Sequence, residues 1–251
     1  MGELVKISIY GDSLALPRKG VVKYKERYFF LVQEWFKKNH NTGSFQLIDR
    51  AKGAATVIEI LKAYEHDEGY FEFPRDVVMF HFGVVDCAPR PINESKRQKI
   101  SKLPSFFKKI VIRYLHNNRS KIIKKGKEYV KTEKDVFLKE TSKLLEKASK
   151  DYKKVYVINI SPTNTDTEVH SPGLTKNIKI YNEILKQTVN ALRAKSVYLI
   201  DINKYISERF EKIDEYILKE DGHHITPLTN SVIAKMIIEI ELGNMVTQFG
   251  K

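Results

Sequence analysis

The chain has 251 residues, 42% hydrophobic and 30% charged, the balance of a globular protein long enough to bury a substantial core. Its single cysteine, Cys87, excludes an internal disulfide framework and a cysteine-rich zinc site, and no apolar run of about 18 residues could span a bilayer. The formal net charge of +13 is confined to one segment: residues 90–154 hold 21 Lys and Arg against 7 Asp and Glu.

Residues 4–10 (LVKISIY) alternate β-branched and aromatic side chains and predict a strand running into Gly11. Apolar spacing over 27–39 (RYFFLVQEWFKKN) predicts a first helix. A short strand is expected at 44–49, and a helical run opens after Gly53, over 54–65. Residues 77–82 (VVMFHF) form an apolar run that ends at Gly83, the pattern of a strand buried on both faces. From 87 to 150 the alternation breaks. Pro89, Pro91 and Pro104 punctuate the start of this segment, and helices are predicted at 105–117 and 132–149, joined by the basic stretch 119–127. Strands at 154–160 and 196–200, with helices at 176–194 and 226–242, complete the chain. Strands alternating with helices predict one domain over residues 1–251, a three-layer α/β fold around a parallel sheet. A basic helical insertion at about 88–150 is expected over or beside its ligand-binding face. Ligands of such sheets bind beyond the carboxyl ends of the strands, where the turns at 11–13, 50–53, 83–86 and 161–164 fall.

Two of these turns carry chemistry. Gly11-Asp12-Ser13-Leu14 places a serine just past the first strand, where a tight turn can expose its hydroxyl beside backbone N–H groups. The same four residues also suit an ordinary turn. Asp221-Gly222-His223-His224 precedes the last helix. A serine hydroxyl needs an imidazole to take its proton, and a carboxylate on the other ring nitrogen orients that imidazole. Asp221, three residues before His224 on a glycine-containing loop, can supply it; alternatively Asp221 or Thr226 caps the helix. A metal site is not expected, because adjacent histidines usually point apart and no acidic or thiol cluster accompanies them.

In this order and separation the two motifs resemble blocks I and V of the GDSL/SGNH hydrolases. The resemblance implies a flavodoxin-like three-layer α/β/α fold and a serine esterase without cofactor or metal. Ser13 would be the nucleophile, His224 the base and Asp221 its partner, with the N–H groups of Ser13 and Gly53 binding the oxyanion. The third block departs from the family's G-x-N-D and reads Gly83-Val84-Val85-Asp86. Where the family's asparagine donates to the oxyanion, Val85 can donate nothing, and loss of one such donor costs on the order of 10²–10³ in rate. Arg90 and Asn164 are the candidates for a substitute donor, while Asp86, which ends a strand, reads as an anchor for the loops, with a substrate contact as the alternative. A third block continuing Cys87-Ala88-Pro89-Arg90 is similar to that of proteins associated with bacterial surface polysaccharide, so the expected substrate is an O-acetyl or other acyl ester on a carbohydrate. An acyltransferase acting on a sugar hydroxyl is the alternative enzyme. A catalytically impaired glycan- or lipid-binding protein is the alternative outside catalysis.

Asp12 reads as a turn and cap residue, Cys87 as a small buried hydrophobe, and Asn177 and Asn182 suit either a sugar site or a helix surface. The basic segment invites an anionic membrane surface or an anionic glycan. Nucleic acid is not expected, since no recognition module is present. Residues 105–115 interleave aromatic and aliphatic groups with Lys108, Lys109 and Arg113, which suits a helix lying in a membrane interface or one packed onto the main domain. Residues 1–10 lack a basic-then-apolar leader pattern, so a cytoplasmic protein is expected, with peripheral attachment to the inner membrane if the basic segment binds lipid.

Overall fold

The structure, a computed structural model, describes residues 4–39, 44–70, 75–126 and 129–249, with side chains to 243. Five strands, β1 (Leu4–Gly11), β2 (Ser44–Ala51), β3 (Arg75–His81), β4 (Tyr152–Ile158) and β5 (Val197–Ile200), form one sheet in the order β2-β1-β3-β4-β5. All four pairings are parallel. Among the described residues the helices are α1 (Tyr28–Asn39), α2 (Val57–Glu68), α3 (Val84–Cys87), α4 (Glu94–Ser101), α5 (Ser105–Asn117), α6 (Arg119–Lys125), α7 (Lys134–Asp151), α8 (Thr165–His170), α9 (Leu174–Leu192), α10 (Ile202–Ser207), α11 (Ile213–Tyr216) and α12 (Pro227–Phe249).

The strands separate two cores. Val78 and Phe80 face one with α2, α7 and α9, whereas Val77 and Met79 face the other with α1 and α12. That double burial is why β3 reads as an uninterrupted apolar run. The strand order reverses between β1 and β3, which opens a crevice at their carboxyl ends, where Gly11 pairs with His81.

The insertion is shorter than the expected 88–150. Helix α7 buries Phe137, Leu144, Leu145 and Ala148 in the first core, so it is the crossover that a parallel β3–β4 pair requires. Its charges lie on a solvated face and disguised this role. The true appendage holds α4, α5 and α6 and is closed at its root by an antiparallel bridge between Arg90 and Tyr129. Residues 90–130 contain 13 Lys and Arg against 2 Asp and Glu, an excess of +11. Helix α5 does not pack onto the main domain. It has no buried residue, and Phe106 and Tyr114 are 68% and 62% exposed.

Candidate active site

Strand β1 delivers Ser13 into a clamped turn. The Asp12 N–H donates to the His81 carbonyl at 3.0 Å, and its carboxylate accepts from the Leu14 N–H at 2.8 Å and the Gly83 N–H at 3.1 Å. The turns after β1 and β3 are thereby joined through one buried side chain. Only glycine fits at position 11, since a Cβ there would lie 2.6 Å from the His81 carbonyl oxygen. Asp12 thus caps the short 3₁₀ turn Ser13–Ala15 and fixes the serine without touching the cleft. Burial pushes the Asp12 carboxyl up to about 7, against the N–H bond from Leu14, with the charge of Asp86 adding to the rise.

The second arm is the loop between α11 and α12. An antiparallel bridge joins Ile217 to Ile225, and the Leu218 N–H donates to the His224 carbonyl at 2.7 Å. Within this loop Asp221 Oδ1 accepts from the N–H groups of His223 and His224 at 3.2 and 3.0 Å. Asp221 Oδ2 lies 2.7 Å from His224 Nδ1, and His224 Nε2 lies 3.0 Å from Ser13 Oγ. Gly222 holds φ at +66° with the Asn164 and Thr167 side chains pressed against it, which no other residue tolerates without displacing them. Thr226 caps α12, its Oγ1 accepting the Thr229 N–H at 3.3 Å. Asp221 is therefore free of the capping role and serves His224.

The electrostatics of the pair match this geometry. Burial opposes ionisation of Asp221, but the hydrogen bonds from His224 outweigh it and hold the carboxyl well below the usual carboxylate range. Burial pushes the His224 imidazole below its ordinary value, against the pull of Asp221. An ionised Asp221 accepting Nδ1–H leaves the Nε2 lone pair facing Ser13, the tautomer that a general base needs.

Ser13 opens into a cleft of about 480 Å³ that is also lined by Val84, Val85, Arg90, Arg119 and Asn164. Arg90 Nη2 donates to the Val85 carbonyl at 3.3 Å. The Asn164 N–H donates to the Gly222 carbonyl at 3.0 Å, and its Oδ1 accepts from the Thr167 N–H and hydroxyl at 3.0 and 2.8 Å. The Asn164 amide NH₂ has no partner among the described residues. Gly53 is exposed just past β2 and does not line the cleft, although the Lys52 N–H ties its loop to Gly11 at 2.9 Å. The next residue, Ala54, holds φ at +62°, a strained backbone of the kind that collects at functional sites.

Asp86 is not brought to the cleft. It is fully buried, and its carboxylate accepts from the Val57 N–H at 3.2 Å and from the Thr132 hydroxyl. Its role is to tie the start of α2 to the chain that returns from the appendage. Asn177 donates to the Cys87 carbonyl at 2.9 Å, and both bonding groups of Asn182 are taken by Ile160, so neither lines a sugar site. Cys87 is buried. Arg119, His170 and Lys219 also line the cleft, and no signal in the sequence sets them apart from other basic residues. Donor atoms of Asp221, His223 and His224 lie within 4.8 Å of one another, but a cation there would displace the Ser13–His224–Asp221 hydrogen bonds.

No family model and no curated protein sequence matches the chain. Solved structures do. It superposes on the lipase/acylhydrolase from Enterococcus faecalis with a TM-score of 0.63 at 14% identity, over 96% of each chain. A member of the lipolytic protein G-D-S-L family from Veillonella parvula gives 0.57 at 14%, over 94% of this chain and 97% of that one. An acetyl xylan esterase, AlAXEase, gives 0.58 at 20%, over 94% and 99%. The chain has the fold of these proteins, a parallel sheet flanked by helices, over nearly its whole length.

Proposed function

We propose that this protein is an ester hydrolase of the GDSL/SGNH kind that removes an acyl group, foremost acetyl, from a carbohydrate. The observation that carries this reading is the unbroken chain Ser13 Oγ–His224 Nε2 at 3.0 Å and His224 Nδ1–Asp221 Oδ2 at 2.7 Å. Ser13 Oγ attacks the ester carbonyl while His224 takes its proton and returns it to the leaving alcohol. Water, activated by the same imidazole, then releases the acid from the acyl-enzyme. The Ser13 N–H receives the oxyanion, and the Asn164 amide, which lines the cleft as Gly53 does not, stands in for the donor that Val85 cannot supply. Catalytic mutants of the acetyl xylan esterase from Geobacillus stearothermophilus replace a serine, an aspartate and a histidine, the last two three positions apart, as Asp221 and His224 are. Incubation with a fluorophosphonate followed by mass spectrometry tests the reading. One adduct on Ser13, lost in Ser13→Ala and His224→Ala, is the expected result; no adduct at high probe concentration would turn the chain into a glycan- or lipid-binding protein. Product analysis with an acceptor sugar present separates hydrolysis from acyl transfer.

The appendage supports a second reading, binding to an anionic lipid surface. Leu103, Phe106, Phe107, Ile110 and Tyr114 recur at helical spacing and are all exposed, flanked by Lys109 and Arg113. An apolar face rimmed by cations lies in a membrane interface rather than against a glycan.

A further inference from the structure

Two arginines in the cleft have no ion-pair partner among the described residues, and Glu94 and Asp86 act on Arg90 only from beyond contact distance. Among the described residues Arg90 Nε is buried with no hydrogen-bond partner, and the guanidinium otherwise meets only the Val85 carbonyl at 3.3 Å. Arg119 meets the Ser171 hydroxyl at 3.0 Å and the Pro89 carbonyl. All these acceptors are neutral. Among the described residues no carboxylate lies within ion-pair distance of either arginine. Glu94 is paired with Arg97 instead, at 3.5 Å, and Asp86 is occupied by Val57 and Thr132. Asp166 and Glu220 line the same cleft without pairing with the two arginines. Burial first, and the charge of Arg90 second, make Arg119 a weaker proton holder than a free arginine. Two desolvated cations that repel each other are costly unless an anion completes them. Guanidinium forks are suited to the paired oxygens of a carboxylate or phosphate. The pair also stands between the Ser13 cleft and a second cavity of about 400 Å³ beneath the appendage, whose wall includes Ile92, Ile112 and Leu115.

We propose that Arg90 and Arg119 bind an anionic group of the substrate, a carboxylate or phosphate carried beside the ester that Ser13 attacks. This makes the substrate an acidic sugar ester and rests on the esterase reading of the same cleft. The appendage then contributes half of the substrate site, through Arg119.

The test compares wild type with Arg119→Gln and Arg119→Lys on three O-acetylated probes: neutral methyl glucoside, methyl glucuronide and glucose phosphate. Fluorophosphonate labelling of Ser13 runs in parallel, and circular dichroism verifies folding of each variant. The expected result is about a ten- to hundredfold higher kcat/KM for at least one anionic ester than for the neutral one, expressed mainly in KM. Arg119→Gln should abolish that preference and Arg119→Lys should keep part of it. Whichever of glucuronide or phosphate is preferred identifies the source of the anion. If Ser13 is labelled but the three esters react alike, or the preference survives Arg119→Gln, the anion site is refuted while the esterase reading stands. If nothing is labelled or turned over, the esterase reading fails, and calorimetry with glucuronate and glucose phosphate decides. Binding by wild type and not by Arg119→Gln would uphold the anion site, and no binding to wild type would overturn it.

Discussion

On the esterase reading, the Ser13 proton leaves to the single lone pair of His224 Nε2, so activity should follow the protonation of His224. Burial depresses the affinity of this imidazole for a proton below the ordinary value of 6.5. Protonated His224 cannot act as base, so kcat/KM should be level near neutrality and fall tenfold per pH unit on the acid side, with its midpoint below 6.5. A rate profile on a neutral acetyl ester reads this directly; a midpoint above 7 would contradict the arrangement. The missing asparagine makes a second prediction. Asn164→Ser retains a capping oxygen for α8 but removes the amide NH₂, and kcat should drop about 10²-fold. Adding Val85→Asn restores a donor at the family's own position, and the double variant should recover most of that loss. No loss in the single variant would mean that backbone donors suffice. That Ser13, His224 and Asp221 meet is legible because they occupy two short motifs at strand and helix ends that the fold brings together. Asp86 is legible as a strand-end residue that anchors loops, but which loops it joins depends on which strand ends meet, and spacing does not reveal that. Arg119 was invisible for the opposite reason, as one cation in a long basic run.

At the level of elements, the parallel strands and their flanking helices could be read from apolar periodicity, because the central strands β1, β3 and β4 are buried on both faces and the helices that flank the sheet on one. Helix α7 could not. Its interior stripe of Phe137, Leu144, Leu145 and Ala148 is spaced as a core helix, but its lysines continue the charge of the appendage and blurred the boundary. Helix α5 shows the converse, an amphipathic pattern that faces no protein core at all. Burying Phe106 and Phe107 in lipid headgroups contributes about 2 kcal/mol each, and each nearby cation adds about 1 kcal/mol on an anionic surface. Wild type should therefore cosediment with phosphatidylglycerol vesicles and not with phosphatidylcholine vesicles. Phe106→Ser with Phe107→Ser should weaken this binding more than tenfold and leave the melting temperature unchanged, since neither ring packs on the fold. Binding to an acidic polysaccharide but to no vesicle would make a glycan the partner instead.

For the molecule as a whole, the crevice between β1 and β3 concentrates buried titratable groups of opposite tendency, and this sets the pH response of stability. Burial raises Asp12 to about 7 and Asp86 to about 6, so the folded state binds these protons more tightly than the unfolded chain, where the value is 3.8. Their contribution is fully present below 3.8 and is lost as pH rises through 6 and 7. His81 acts in the other direction: burial lowers it to about 3 from 6.5, so its contribution is present above 6.5 and is lost as pH falls. Between about pH 4 and 6 the two carboxyls outweigh the single imidazole, so stability should fall with rising pH, at about half the slope that the carboxyls alone would give. His81→Gln keeps an acceptor for the Tyr28 hydroxyl, which lies 3.2 Å from His81 Nδ1, but removes the opposing titration. Its unfolding free energy, measured by urea titration at intervals across this range, should fall more steeply with rising pH than that of wild type. Parallel curves for the two proteins would mean that His81 carries a proton in the folded state, and that the Ser13 turn is built around a charged imidazole.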